Sequence, residues 1–290
     1  MRSNAEKQHC KRSIVLPSWR DEVRVALCPD RVTLARVSRR WRPEVIAKHV
    51  VQCSAAGSSD WKPCLEALQQ ALREPFVHDA DATVIISNHF VRYAMVPWSE
   101  HLASDDEKRA WVKHHFVELY GELAGATEFR WSEERPDTAC VASAIDGEFV
   151  AEIRAAFEST SLRLRSVQPY VMAVFNRWKQ HSKGNSAWFL VAETGRACIA
   201  AVANGAWRTI TSKKIGLDWQ AELPLVLGRE LLLANDTSVP TVILAYAPDV
   251  TKLDFPDWTE VPVKVLAPRP LPGFSPYTDA QYAMALTGVV

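Results

Sequence analysis

The chain has 290 residues, 48% hydrophobic and 23% charged, enough for about two domains whose cores need no disulfide staples. Its 34 Lys and Arg balance 34 Asp and Glu, so it lacks the basic excess of a nucleic-acid binder and any bulk pull toward an anionic membrane. Cysteines 10, 28, 53, 64, 140 and 198 form no C-x-x-C or zinc spacing, which excludes a structural metal site and predicts free thiols in a reducing compartment.

Residues 1–19 read as an extension whose only apolar core is Ile14-Val15-Leu16, too short for a signal peptide. Val23–Cys28 and Val32–Val37, joined by Pro29-Asp30-Arg31, predict a hairpin, and Glu44–Cys53 a third strand. Strand one as drawn contains no carboxylate, Asp21 and Glu22 lying before it, which argues against a metal-dependent nuclease. Ser58-Ser59-Asp60 offers a cap for a helix carrying Trp61, Leu65, Leu68 and Leu72, and Ala82–Ser87 is apolar on both faces, like a central strand. The order so far is β-β-β-α-β. An extended segment, Phe90–Val96, ends at Pro97-Trp98. Ser104 with Glu107 forms a capping box for a helix to about Leu123, with Ala110, His114, Val117 and Gly121 as its stripe. A strand at 138–144, a helix at 147–160, a strand at 162–167 and a helix near 170–180 follow. Lys183–Ser186 is a polar hinge. Beyond it, Ala187–Ala192, Arg196–Val202 and Ala206–Thr211 are strands, with Asn204-Gly205 as a hairpin turn. A helix at 219–234 and a strand at 240–245 complete a second β-β-β-α-β. Pro268, Pro270, Pro272 and Pro276 mark the C-terminal residues as a loosely docked tail.

A duplicated β-β-β-α-β unit reads as an α/β actin-like ATPase fold: two RNase H-like subdomains with an inserted small subdomain. Val84–Trp98, the acidic-start helix through His115-Phe116 and Tyr120-Gly121, Val141–Ala144, Ser166–Tyr170 and Trp188–Val202 together resemble PilM/GspL-type proteins, actin-like cytoplasmic components of type IV pilus and type II secretion assembly platforms. The resemblance covers about residues 20–265. It implies a first lobe at 20–89 plus 146–182, an insertion at 90–145, a shortened second lobe at 186–267 and a tail at 268–290.

The resemblance also implies phosphate loops at both hairpin turns. Pro29 removes an N–H donor from the first, where Asp30 and Thr33 remain. The second keeps Glu193, Thr194 and Gly195, but Ala192 stands where the family pattern has Asp, and Glu193 reads as solvent-facing. At the adenosine position Tyr246 replaces a bare glycine turn. These loops predict a non-catalytic scaffold without a cofactor; the alternative is an ATP-binding switch using Asp30, Glu193, Thr194 and Mg²⁺. A pseudo-enzyme of the sugar-kinase type is a third option, disfavoured because no catalytic Asp or sugar pocket can be located. His89 and His101 read as hydrogen-bonded or surface residues. Arg36, Arg39, Arg40 and Arg42 around Trp41 form either a solvated hairpin end or a contact for an acidic or phosphorylated partner. Family partners are a cytoplasmic peptide of an inner-membrane assembly protein (PilN-like) and a secretion motor ATPase; a homodimer is also allowed. Tyr93, Pro97, Trp98, His115 and Tyr120 are the expected peptide groove, between the first lobe and the insertion. The location expected is cytoplasmic, peripheral to a bacterial inner membrane.

Overall fold

The computed structural model describes residues 20–54, 60–102, 104–121, 126–132, 136–182, 186–203, 205–216, 219–234, 240–248 and 261–289. The N-terminal extension, Ser58-Ser59, the 183–185 hinge and Asn204 lie outside them.

Strands β1 (Glu22–Leu27), β2 (Arg31–Ser38), β3 (Glu44–Gln52), β4 (Asp81–Ile86) and β8 (Arg163–Pro169) form one sheet in the order β3-β2-β1-β4-β8. β1 pairs antiparallel with β2 and parallel with β4. β9 (Ser186–Glu193), β10 (Arg196–Ala203), β11 (Ala206–Lys214), β12 (Val242–Tyr246) and β13 (Val263–Val265) repeat it as β11-β10-β9-β12-β13. β5 (Val91–Val96), β6 (Thr127–Trp131) and β7 (Cys140–Asp146) make a third, smaller sheet in the order β5-β7-β6. β6 and β13 are too short for an alternating pattern to single them out.

Helix α1 (Lys62–Ala71) buries Cys64, Leu65, Leu68 and Ala71, and α3 (Gly147–Glu158) buries Phe149, Ile153 and Phe157. Trp61 stacks on Phe149 at 5.2 Å between centroids, tying the two helices. Asp60 Oδ1 accepts the Lys62 N–H at 3.1 Å, so the carboxylate serves the first turn of α1. α2 (Asp105–Tyr120) has the predicted capping box, but its buried face is Val112 and Phe116. Ala110 and His114 are exposed, because the small sheet approaches from the other side of the helix.

The short helix α4 (Tyr170–Trp178) decides how the two large sheets meet. Tyr170, Val171, Ala173, Val174 and Phe175 are all buried, and Phe175 lies 5.5 Å from Phe189 and 4.3 Å from Trp207. Side chains of both sheets therefore belong to one continuous core. Each large apolar side chain buried there stabilises the closed arrangement by about 1.5–3 kcal/mol.

The C-terminal segment is not loosely docked. Phe274, Tyr282, Ala283, Leu286 and Val289 pack against Ala35, Val37 and Val45 of the first sheet. The Val45 N–H donates to the Pro272 carbonyl at 2.8 Å, and Lys48 pairs with Asp279 at 2.8 Å. Gly273 makes the approach possible: its φ is +76°, and a Cβ there would overlap the Val45 carbonyl oxygen. A proline-rich composition predicts little regular structure, and that holds; burial of the apolar residues between the prolines is what fixes the segment.

Beneath it lies a buried ionic group. Glu22 falls within β1, not before it, and its carboxylate accepts from Arg24 at 3.1 Å, from the Thr83 hydroxyl at 2.6 Å and from Arg39. Arg24 donates onward to the carbonyls of Ala285, at 2.9 Å, and Thr287. Burial pushes the Glu22 carboxyl up, but Arg24, Thr83 and Arg39 together outweigh it and hold the group below its ordinary value. Arg36 is likewise engaged, by Asp21 at 2.9 Å and the carbonyls of Phe76 and His78, so the arginine cluster around exposed Trp41 is partly structural.

Candidate functional site

The two hairpin turns face each other across the junction of the large sheets. In the first, Cys28 N–H donates to the Arg31 carbonyl at 2.9 Å and Asp30 pairs with Arg31 at 2.6 Å. Thr33 is buried within β2, two residues past the turn, and its hydroxyl has no hydrogen-bond partner among the described residues. In the second, Gly195 adopts φ +77° and closes the turn.

Glu193 is not solvent-facing. It is 4% exposed, accepting from the Ser87 hydroxyl at 2.6 Å and the Asn88 N–H at 2.9 Å. Ser87 and Asn88 begin the single 3-10 turn that follows β4, so a carboxylate from the second sheet is bonded into the end of the first. His89 extends the same contact: its Nε2 lies 2.9 Å from the Thr194 carbonyl, which makes Nε2 the protonated nitrogen. Burial pushes the imidazole below its ordinary value, opposed by the Thr194 carbonyl, with Arg196, Asp30 and Lys214 also within electrostatic reach. Charged groups of both hairpins thus surround His89. Asn88 acts as the hub: its Oδ1 accepts the Tyr93 hydroxyl at 2.7 Å and the Val171 N–H at 3.2 Å. One short turn is thereby tied to the second sheet, the small sheet and α4.

Tyr246 is 2% exposed at the end of β12 and packs edge-on to Tyr170, 6.2 Å between centroids. Its ring is part of the core that both large sheets share. The predicted nucleotide-site residues are therefore brought to one junction, but Glu193, Thr194 and Tyr246 are spent there on contacts within the chain.

The five predicted groove residues do not line one shared cavity, although Tyr93 and Tyr120 are in contact. Tyr93 is buried, and burial pushes its phenol well above its ordinary value. Tyr120 donates to the Tyr93 carbonyl at 2.7 Å and lies under Arg92. His115 Nδ1 lies 3.0 Å from the Trp111 carbonyl. Only Pro97 and Trp98 share a cavity, about 700 Å³, with Trp111 and Trp131 on the outer side of the small sheet.

A second groove, of about 580 Å³, runs between the first sheet and the small one. Its walls are β6 and β8, each the last strand of its sheet and, among the described residues, paired on one side only, and α3 forms its end. Leu164, Val167 and Ile145 supply half-buried apolar surface; Arg130, Arg154 and Arg165 stand at the rim, with Glu128 and Glu158. Glu128 pairs with Arg130 and Arg154, the latter at 2.9 Å, and Arg165 with Asp81 at 3.1 Å. Two open strand edges flanking an apolar floor can hold an extended chain by main-chain hydrogen bonds. Sequence inspection missed these residues because β6 went unrecognised, and an edge strand is defined by which neighbour it lacks.

No protein-family model matches this chain, and no curated protein matches it. Solved structures do. A chain of a PilM–PilN type IV pilus biogenesis complex is 14% identical over 92% of this chain and 96% of its own, with a TM-score of 0.64. The cytoplasmic domain of EpsL, an inner-membrane component of the type II secretion system of Vibrio cholerae, is 12% identical over 92% and 98%, at 0.56. A Bacteroides thetaiotaomicron protein with an actin-like ATPase fold and unknown function is 8% identical over 79% and 82%, at 0.54. The chain has the actin-like ATPase fold.

Proposed function

We propose that this chain is a non-catalytic adaptor of a type IV pilus or type II secretion-like assembly platform. It holds an extended peptide of an inner-membrane assembly protein in the groove between β6 and β8. The observation that carries this is the pairing of a closed junction with an open groove. Glu193 and His89 tie the second hairpin turn to the 3-10 turn after β4, where a nucleotide would need separation, while among the described residues β6 and β8 leave two strand edges free beside an apolar floor. The PilM–PilN and EpsL structures supply the biological setting by likeness of fold. Among the described residues no helix is long and apolar enough to cross a membrane.

The test is a fluorescence-anisotropy titration with labelled synthetic peptides spanning the cytoplasmic tails of single-span inner-membrane assembly proteins from the same cell. Leu164→Glu and Arg130→Glu should each weaken binding at least about tenfold, or 1.4 kcal/mol. Trp98→Ala, remote from the groove, should leave it unchanged. Affinity indifferent to both groove variants would refute the site. Saturable micromolar binding of ATP with Mg²⁺ by calorimetry would overturn the adaptor and restore an ATP-gated switch.

A further inference from the structure

Helix α5 (Trp219–Ala234) is apolar on two opposite faces. Trp219, Leu223 and Leu227 are buried against the second sheet, and Glu230 on that side is held by Lys213 at 3.0 Å. On the far side Ala221, Leu225, Gly228 and Leu232 are all exposed, Leu225 at 80% and Leu232 at 85%. Their steps of four, three and four residues give one straight stripe at heptad spacing. A helix that packed only on its own sheet would carry polar residues there. Gly228 sharpens the point. Among the described residues a Cβ at that position would meet nothing within 4 Å, so none of them requires the glycine, which costs a helix interior about 1 kcal/mol relative to alanine. Glycine on an exposed stripe serves something that comes close from outside.

We propose that this stripe is the interface of a symmetric dimer in which α5 packs antiparallel against α5 of a second copy of the chain. An antiparallel register makes all four residues of the stripe self-complementary. Leu225 enters the slot left by the partner's Gly228, and Ala221 faces the partner's Leu232; the two-fold axis repeats both layers. Each layer pairs one large residue with one small one, which lets the helices approach closely. Glu222 and Arg229 are both exposed and flank the same edge of the stripe, seven residues apart. Antiparallel packing brings Glu222 against the partner's Arg229, twice by symmetry, whereas parallel packing would set the two on opposite flanks of the seam and leave them unpaired with each other. The peptide groove lies on other elements, so this dimer and the adaptor function stand or fall separately.

Sedimentation velocity on the full chain, from about 1 to 200 µM to suit a small interface, tests it. The parent should pass from monomer to dimer across that range. Leu225→Glu should remain monomeric with an unchanged circular-dichroism spectrum, since Leu225 supports nothing in the protomer. Glu222→Arg and Arg229→Glu should each be monomeric alone, and an equimolar mixture of the two should associate again. A parent that stays monomeric throughout, or a dimer that survives Leu225→Glu, would overturn the proposal. Failure of the mixture to associate would overturn the antiparallel register on which it rests.

Discussion

Removing the Glu193 carboxylate should open the junction between the two large sheets. Glu193 accepts from the Ser87 hydroxyl at 2.6 Å and the Asn88 N–H at 2.9 Å, and both donors sit at 0% exposure. A hydrogen bond to a buried charged group contributes about 1.5–3 kcal/mol, and a stranded buried donor costs about 1–3 kcal/mol. Water entering the small space left by Glu193→Ala recovers part of that, so about 3–4 kcal/mol is the expected loss. Glu193→Gln keeps one acceptor oxygen and should lose about 1–2 kcal/mol. The informative probe is hydrogen exchange at the Val171 amide. Its acceptor is the Asn88 side chain, so Glu193→Ala does not delete its partner; it exchanges faster only if the hub itself loosens. A 3–4 kcal/mol loss corresponds to about 10²–10³-fold faster exchange there. Val171 exchange within about threefold of the parent, with an unchanged urea midpoint, would show that the α4 core alone holds the sheets together and refute the latch.

Two further outcomes follow from the same packing. Gly273→Ala should cost at least about 2 kcal/mol, because a left-handed φ and a clash with the Val45 carbonyl oxygen coincide. Chymotrypsin cleavage after Phe274 and Tyr282, both buried against the first sheet, should accelerate as the C-terminal segment lifts off; an unchanged midpoint and cleavage rate would mean the segment does not stabilise the sheet. Stability should also fall on acidification in two stages. His89 is held below its ordinary value, so the unfolded chain takes up a proton first, and stability is lost as pH drops below about 6.5 toward the folded value. Glu22 is held below 4.5, so its contribution is complete above that pH and disappears as pH falls through the folded value. Replacing His89 with Asn should remove the upper stage and leave the lower one; urea midpoints measured from pH 8 to 3 resolve the two.

The chain's own residues determined the elements and their order. Val23–Cys28 and Val32–Val37 are apolar, β-branched-rich runs joined by a Pro-Asp turn, Ser104 and Glu107 cap α2, and the second β-β-β-α-β set repeats the first in the same strand order. Periodicity and turn chemistry act over a few residues, so they can be seen in a string. Which face of α2 is buried, what Glu193 touches, and which strands end up at a sheet edge depend on elements up to 106 residues apart, as the bond between Ser87 and Glu193 shows. Glu193 in a Glu-Thr-Gly turn has the local chemistry of a solvated residue, and only the arrival of the turn after β4 turns it into a buried acceptor. Pro268–Pro276 likewise has the composition of a tail, but Phe274, Tyr282 and Leu286 find an apolar face on the first sheet and stay there. Local patterns thus set what each segment forms, and the burial of apolar surface between distant segments decided which site closed and which groove stayed open.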